Sequence, residues 1–282
     1  MSGPAGDTGP RPSPLGRRPG PAPGALAGTR VVVTRARAQA SGLVQRLADL
    51  GAAVVELPVI AIEDPSDGGA ATAKSADRLV AGEYAWVVVT STNAVDRIAA
   101  ALGDRTAPAA TRWAAVGTST ARALTERGIV PDLVPAVAVS DALVEAFPAA
   151  PPPGPAPGRA GATGAVLFVR AERARDVVAA GLVAKGWRVT EAVAYRTTAG
   201  DVDASAADAA RVADAVVFTS SSTVERTVDL LGAAGVPPVV ASIGPVTSAT
   251  ARAAGLTVTV EATEHTLDGL VAALVDALAG RR

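Results

Sequence analysis

VVVTSTNAVDR occupies residues 87–97, and a close copy, VVFTSSSTVER, occupies residues 216–226. Each copy starts with a short apolar run that ends in Thr-Ser, and each continues with apolar residues at helical spacing. A buried strand followed by a helix is the pattern of an α/β protein with parallel sheets. The repetition therefore predicts two similar structural units in one chain.

The same order of strand and helix extends outward from this pair. Val-rich runs predict strands at 31–34, 52–57, 86–90, 113–117, 166–170, 216–219 and 241–244. Apolar residues at i, i+3 and i+4 predict amphipathic helices between them, each ended by a glycine. Matching residues of the two halves keep a nearly constant offset, from Val31 and Val166 in the first strands to Gly128 and Gly255. The fold class is therefore α/β, with doubly wound parallel sheets.

Two extended segments predict how the halves are connected. ELPVIAIED (56–64) and VTEAVAYRTT (189–198) occupy equivalent places in the two repeats, and both are rich in β-prone residues. We expect them to cross between the domains side by side as a short ladder. The predicted domains are then 28–59 plus 198–282, which is discontinuous, and 60–197. A Pro/Gly-rich surface loop is expected at 149–164, and a disordered tail at 1–27.

Composition excludes several classes of function. The 282 residues include 26 basic and 27 acidic side chains, a net charge of −1, which argues against a nucleic-acid partner held by bulk charge. Without cysteine and with one histidine, His265, the chain has no disulfide, no Cys nucleophile and no Cys/His zinc site. His265 precedes a predicted helix cap and is interpreted as a solvated or packing residue. No apolar run approaches a membrane span and no secretory signal is visible, so a cytoplasmic location is expected.

The loops that follow the predicted strands carry the candidate site. In open parallel sheets, ligands bind beyond the carboxyl ends of the strands, where loops enter helices. Small residues, hydroxyls and arginines concentrate in those loops: Arg35, Thr90, Ser91, Thr118, Thr120, Arg170, Thr219, Ser220 and Thr247. Each Ser or Thr is also explained as a helix N-cap, and arginines as solvated side chains. Six such loops around one inter-domain cleft favour a ligand with several negative groups.

Tyr195 is the remaining candidate for chemistry. The chain has no P-loop, no dinucleotide-binding fingerprint, no paired acid and base, and no clear metal cluster. Tyr195 lies on a predicted crossing segment, and a phenol is protonated at neutral pH and can donate a proton or a hydrogen bond. A half-buried strand aromatic is an equally good interpretation.

The sequence resembles the uroporphyrinogen-III synthase family over essentially all of 28–279. The resemblance rests on the order and spacing of VTRARAQASGLVQRLADLGAAVVELPVI, VVVTSTNAVDR, AAVGTSTARALTERG, VLFVRAERARDVVAAGLVAKGWRVTEAVAYRT, VVFTSSSTVER and SIGPVTSATARAAG. It implies two flavodoxin-like parallel-sheet domains joined by a two-stranded β-ladder, with a cleft between them. It also implies cyclisation of hydroxymethylbilane with inversion of ring D and loss of water, in heme, siroheme and cobalamin biosynthesis, without metal or cofactor.

The resemblance also implies roles for individual residues. Tyr195 matches the family's cleft tyrosine, which would assist departure of the hydroxyl. Thr120, Thr219 and Thr247 match or neighbour the hydroxyls of carboxylate-binding loops, and Ser91 and Ser220 lie beside them. Arg35 matches a basic residue after the first strand, whereas Asn93 and Pro245 occupy variable positions. A monomer is expected, with hydroxymethylbilane as ligand and transient handover from hydroxymethylbilane synthase.

Two other classes of protein remain open from sequence. One is a non-catalytic sensor that binds a tetrapyrrole or another polycarboxylate on the same fold. Some relatives of this family carry a fused DNA-binding domain, for which the chain beyond its last helix is expected to have no room. The other is a periplasmic-type binding protein, which requires an export signal.

Overall fold

The computed structural model describes residues 21–152, 164–174 and 176–280. Within these ranges the strands are β1 Arg30–Val33, β2 Ala53–Glu56, β3 Ile60–Glu63, β4 Trp86–Val89, β5 Arg112–Ala115, β6 Ala165–Ala171, β7 Arg188–Ala199, β8 Ala215–Phe218, β9 Val239–Ser242 and β10 Val260–Glu261. The helices are α1 Arg37–Asp49, α2 Ala70–Val80, α3 Thr92–Leu102, α4 Thr118–Thr125, α5 Ser140–Ala146, α6 Val177–Ala184, α7 Ala204–Arg211, α8 Ser221–Leu231, α9 Pro245–Ala253 and α10 Leu267–Ala279, with a 3₁₀ turn at Ala233–Gly235.

The strands form two five-stranded sheets. The first sheet has the order β10-β9-β8-β1-β2, and all of its pairs are parallel. The second has the order β3-β7-β6-β4-β5 and is parallel except for β3, which runs antiparallel to the end of β7. Ile60 pairs with Ala199 and Glu63 with Arg196 in this ladder. The predicted fold class, with two parallel sheets and a two-stranded ladder, is confirmed.

Helices cover both faces of each sheet because the central strands are apolar on both sides. β4 and β8, the strands of the repeated motif, are buried at all four residues. The helices that follow them place one apolar face on the sheet, as Val95 and Ile98 do in α3. Gly51, one of the predicted helix-ending glycines, has φ 86°, a backbone conformation that side chains with a Cβ rarely adopt.

The two sheets have separate apolar cores on each face, and the ladder links them. Ile60 is buried in a core of the first sheet together with Leu57 and Val59. Ile62, two residues further along β3, packs against that core and also against the core that contains Tyr195 in the second sheet. The ladder therefore joins the two units by shared apolar contact as well as by backbone hydrogen bonds.

The last residues of the predicted tail pack against the first sheet. Residues 23–28 form turns, and Leu26 is fully buried against the first sheet, with its N–H donating to the Leu50 carbonyl at 2.9 Å. The prediction that the disordered tail extends to residue 27 is therefore wrong in its last residues, because the apolar side chain of Leu26 contributes to the core. Residues 1–20, and 153–163 of the predicted loop, lie outside the described residues.

Three helices and one strand were not predicted from the sequence. α2, α5 and α7 are short or poor in large apolar residues, and β10 has only two residues. The division into 28–59 plus 198–282 and 60–197 stays a prediction. In the part of the chain that the structure describes, none of the helices combines the length and apolar character that crossing a membrane requires.

Candidate active site

A cleft of about 560 Å³ lies where the two units meet. Its lining comes from residues 36–39 at the start of α1, Pro58, residues 60–62 of the ladder, Asn93, Asp96 and Arg97 of α3, and residues 200–201 after β7. Such a volume falls within the range of small-molecule sites. The cleft therefore lies at the carboxyl end of β1 and beside the helix that follows β4, as expected for open parallel sheets.

An irregularity in β7 places Tyr195 beside this cleft. Arg170 of β6 pairs with Val193, whereas the next residue, Ala171, pairs with Tyr195, so that Ala194 is an extra residue in β7. Strict alternation would send the side chains of Ala194 and Tyr195 to opposite faces. With the bulge, both residues are buried in the same core, which also contains Ala94 and Val95 of α3. The bulge thus directs the phenol toward the start of α3.

The Tyr195 hydroxyl donates a hydrogen bond of 2.9 Å to the Oγ of Ser91. Only 7% of Tyr195 is exposed. Burial raises the pKa of the phenol, and hydrogen bonding with Ser91 and Asn93 opposes that rise without cancelling it. The phenol is therefore protonated at neutral pH and has a proton to donate.

Ser91 and Ser220 are equivalent caps of the two repeated helices. Ser91 accepts from the Ala94 N–H at 3.1 Å, and Ser220 accepts from the Thr223 N–H at 3.4 Å. Helix N-termini of this kind favour anions, because their free N–H groups and the helix dipole both attract negative charge. Only the first of these caps is bonded to a tyrosine, so the two repeats are alike in backbone but different in chemistry.

The predicted threonines follow the strands in two equivalent pairs of loops. Thr90 and Thr219 are half-buried directly before the capping serines. Thr120 and Thr247 are the third residues of α4 and α9 and are 3% and 5% exposed, whereas Thr118 is exposed. All five lie at helix starts that follow strands, but the residues that line the cleft do not include them. Their role in binding a ligand remains a prediction.

His265, two residues before α10, packs against the start of α9. A Cβ added to the helix-capping Gly244 would be only 3.1 Å from the imidazole ring, so the ring packs directly over this backbone. The arrangement agrees with the interpretation of His265 as a packing residue.

Arg35, at the end of β1, is a cation that has no counterion among the described residues. Its side chain is half-buried, and among the described residues no hydrogen bond or ion pair of its guanidinium is found. Burial lowers the pKa of Arg35 from its ordinary value, but arginine remains charged at neutral pH. An unpaired, partly desolvated guanidinium beside helix N-termini is suited to binding a carboxylate.

Arg170, the other predicted arginine, is engaged within the protein. Its guanidinium donates to Glu191, to Asp176 at 3.1 Å and to the Ala174 carbonyl at 2.7 Å. It also lies 5.9 Å from the ring centroid of Phe168, on the face of the second sheet opposite Tyr195. Burial lowers its pKa, but the bonds with Glu191 and Asp176 outweigh burial and raise it. Its surroundings favour a structural role, and the proposed contact with a ligand lacks support.

Sequence reasoning missed the polar residues that line the cleft. Gln39 and Asn93, from the starts of α1 and α3, are hydrogen-bonded to each other across the cleft. Arg97, one turn after Asn93, forms an ion pair with Asp64. Their position in the sequence could have identified them. Gln39 and Asn93 both lie in the first turn of a helix that follows a parallel strand, where ligand contacts concentrate.

The chain matches known proteins along most of its length. Residues 41–272 match the family model described as uroporphyrinogen-III synthase HemD. A uroporphyrinogen-III synthase of Synechococcus elongatus is 33% identical over 272 residues, which cover 88% of this chain and 95% of that protein. A porphyrin biosynthesis protein HemD of Ruminiclostridium josui is 32% identical over 116 residues, 40% of this chain and 22% of that protein.

Solved structures agree in fold. A mutant uroporphyrinogen III synthase of Thermus thermophilus matches with a TM-score of 0.60 at 20% identity, covering 90% of this chain and all of that one. A uroporphyrinogen-III synthetase of Helicobacter pylori matches with a TM-score of 0.54 at 16% identity, again over 90% of this chain and all of that one. Because the family model matches 41–272 and the Synechococcus elongatus enzyme is 33% identical over 88% of the chain, the chain belongs to the uroporphyrinogen-III synthase family.

Proposed function

We propose that the chain closes hydroxymethylbilane, a linear tetrapyrrole with eight carboxylates, into uroporphyrinogen III. The observation that carries the proposal is the Tyr195 phenol, hydrogen-bonded to the helix-capping Ser91 next to the cleft of a chain that belongs to this family. Arg35 and the hydroxyls at the helix starts would bind carboxylates of the bilane. Catalysis would then consist chiefly of holding a reactive chain in one conformation.

The proposed reaction balances with the loss of one water. The nitrogen of the first pyrrole expels the terminal hydroxyl, whose C–O bond breaks, and the proton of Tyr195 converts the leaving group into water. The freed carbon bonds to the substituted position of ring D and gives a spiro intermediate. The original bond between that position and the carbon bridge to the neighbouring pyrrole then breaks. The bridging carbon bonds instead to the unsubstituted position on the other side of ring D, and the C–H proton lost from that position restores the phenol.

The substrate would come from hydroxymethylbilane synthase in the cytoplasm. Hydroxymethylbilane closes without inversion when it is left alone, so rapid transfer between the two enzymes would protect the product. A transient handover requires no permanent complex, which agrees with the expected monomer.

A coupled assay tests the proposed function. Hydroxymethylbilane is generated in situ, the chain is added, and the uroporphyrin isomers are separated after oxidation. We expect isomer III to predominate. Isomer I alone, formed at the protein-free rate in the presence of folded protein, would overturn the proposal and favour a tetrapyrrole-binding sensor.

Replacing Arg35 is expected to weaken substrate binding. In Arg35→Gln we expect KM to rise about tenfold with little change in kcat, because one charge-assisted hydrogen bond of ~1.5 kcal/mol or more is lost. The control is Arg226→Gln on α8, which removes the same charge from an exposed side chain that pairs with Asp229. An unchanged KM in Arg35→Gln would exclude Arg35 from the site.

The pH dependence of turnover is expected to reflect the raised pKa of Tyr195. The protonated phenol is the active form, and burial raises its pKa above the ordinary value of about 10. Turnover should therefore stay level between about pH 7 and 9 and fall only above about pH 10. The alkaline decline should disappear in Tyr195→Phe, and a decline in the native chain below pH 9 would contradict this assignment.

A further inference from the structure

A single polar contact joins the α1 and α3 helix starts across the cleft. The side-chain amide of Gln39, in the first turn of α1, donates to the Oδ1 of Asn93, in the first turn of α3. α1 packs on the first sheet and α3 on the second. The two side chains belong to separate units, so their hydrogen bond can exist only while the cleft is closed.

Asn93 also lies directly beside the candidate catalytic pair. It is two residues after Ser91, whose Oγ accepts from Tyr195 at 2.9 Å. Asn93 therefore shares the first turn of α3 with Ala94, whose N–H donates to Ser91 Oγ at 3.1 Å. Asn93 lines the cleft, whereas Tyr195 is not among its lining residues.

These contacts connect closure of the cleft to the phenol. Gln39 bonds Asn93, Asn93 lies two residues after Ser91 at the start of α3, and Ser91 accepts from Tyr195. A primary amide suits the middle position because its oxygen accepts from Gln39 while its NH₂ group remains available on the other side. Opening the units would break the first bond and expose Tyr195 to a ligand, and closure would restore it.

We propose that Gln39 and Asn93 are positioning residues, whose hydrogen bond holds the two units closed over the bound ligand and fixes Tyr195 and Ser91 against it. The inference rests on the proposed function for its kinetic test. Its structural test, closure of the cleft by this pair, does not depend on activity.

The kinetic test is a double-mutant cycle. Gln39→Ala and Asn93→Ala should each lower kcat about three- to tenfold, as expected for one hydrogen bond, without raising KM. The kcat of the double variant should be no lower than that of the less active single variant, because both changes remove the same bond. Gln45→Ala is the matched control, since Gln45 lies on the exposed face of α1 and donates to Asp49 of the same helix. Losses that multiply in the double variant, or a rise in KM without loss of kcat, would overturn the proposal.

The structural test uses the absence of cysteine from the sequence. In Gln39→Cys/Asn93→Cys, a short reducible bis-methanethiosulfonate should link the two thiols, which mass spectrometry detects. The linked protein should form no isomer III and should recover when dithiothreitol opens the link. Gln45→Cys/Asp49→Cys, within one helix, is the control that should link without loss of activity.

The two tests separate the inference from the proposed function. Failure of the 39/93 pair to link, while the 45/49 pair links, would refute closure of the cleft by these residues. Linking with full activity would show that opening is not required and would also refute the proposal. If the native chain forms only isomer I, the proposed function fails, and the linking result still decides the closure.

Discussion

Tyr195→Phe is expected to lower kcat about 100-fold and to leave the fold intact. A factor of about 100 is the lower end of the rate contribution expected from a positioned general acid, here the phenol that protonates the departing hydroxyl. The ring remains to fill its place in the core of the second sheet, and the 2.9 Å bond to Ser91 is lost. That loss should cost about 1 kcal/mol of unfolding free energy, which denaturant titration can measure.

The chain supplies a matched control in its other tyrosine. Tyr84 is also fully buried, but its hydroxyl has no hydrogen-bond partner in the structure. Tyr84→Phe should therefore preserve kcat and leave the free energy of unfolding unchanged or slightly higher. Equal kcat values in Tyr195→Phe and the native chain would remove Tyr195 from the mechanism.

Gly200→Ala is expected to have the largest effect on stability. Gly200 follows β7, and its N–H donates to the Val59 carbonyl at 2.9 Å. A Cβ at this position would lie 1.7 Å from the Pro58 carbonyl oxygen and 2.8 Å from the Ile60 nitrogen, both of them backbone atoms. The two segments must therefore separate. We expect a loss of ~3 kcal/mol or more, and a fall of about 5–10 °C in the thermal midpoint.

Gly42→Ala is the control for this substitution. Gly42 lies inside α1, where a new Cβ would meet only the flexible end of the Arg46 side chain at 3.3 Å. Alanine favours the helix by about 1 kcal/mol over glycine, so this variant should gain stability. Because Pro58, Ile60 and Gly200 also line the cleft, Gly200→Ala should lose activity below its thermal midpoint as well. A native-like midpoint in Gly200→Ala would contradict the close approach of the two segments.

The repeat made most of the fold predictable from sequence. Two copies of one strand-loop-helix motif predicted the parallel sheets. Two equivalent β-prone segments predicted the ladder that pairs Ile60 with Ala199. Helix caps were also predictable, because Ser91 and Ser220 stand where a buried strand gives way to helical spacing. The burial of Leu26 was not predicted, because a single apolar residue within a Pro/Gly-rich segment gives no recognisable pattern.

The candidate site was less predictable because it depends on irregular geometry. The bulge at Ala194 reverses the face expected for Tyr195, and alternation along the strand gives no sign of it. Arg35 follows β1, and Arg170 lies near the end of β6 in a segment of similar sequence, yet of the two only Arg170 meets carboxylates of its own unit. Gln39 and Asn93 are 54 residues apart and meet only through the packing of the two units. These contacts arise from tertiary structure and have no local pattern.

The strand order of the first sheet has a consequence for synthesis of the chain. β1 lies between β2 and β8, and its Val32 pairs with both Val55 and Val216. The second sheet is complete once residue 199 is made, whereas β1, α1 and β2 must wait for β8. At translation rates of 5–20 residues per second, that wait is roughly 10–30 s, with apolar surface exposed. The amino-terminal segment is thus the part of the nascent chain most in need of a chaperone, and truncation before β8 should spare only the second sheet.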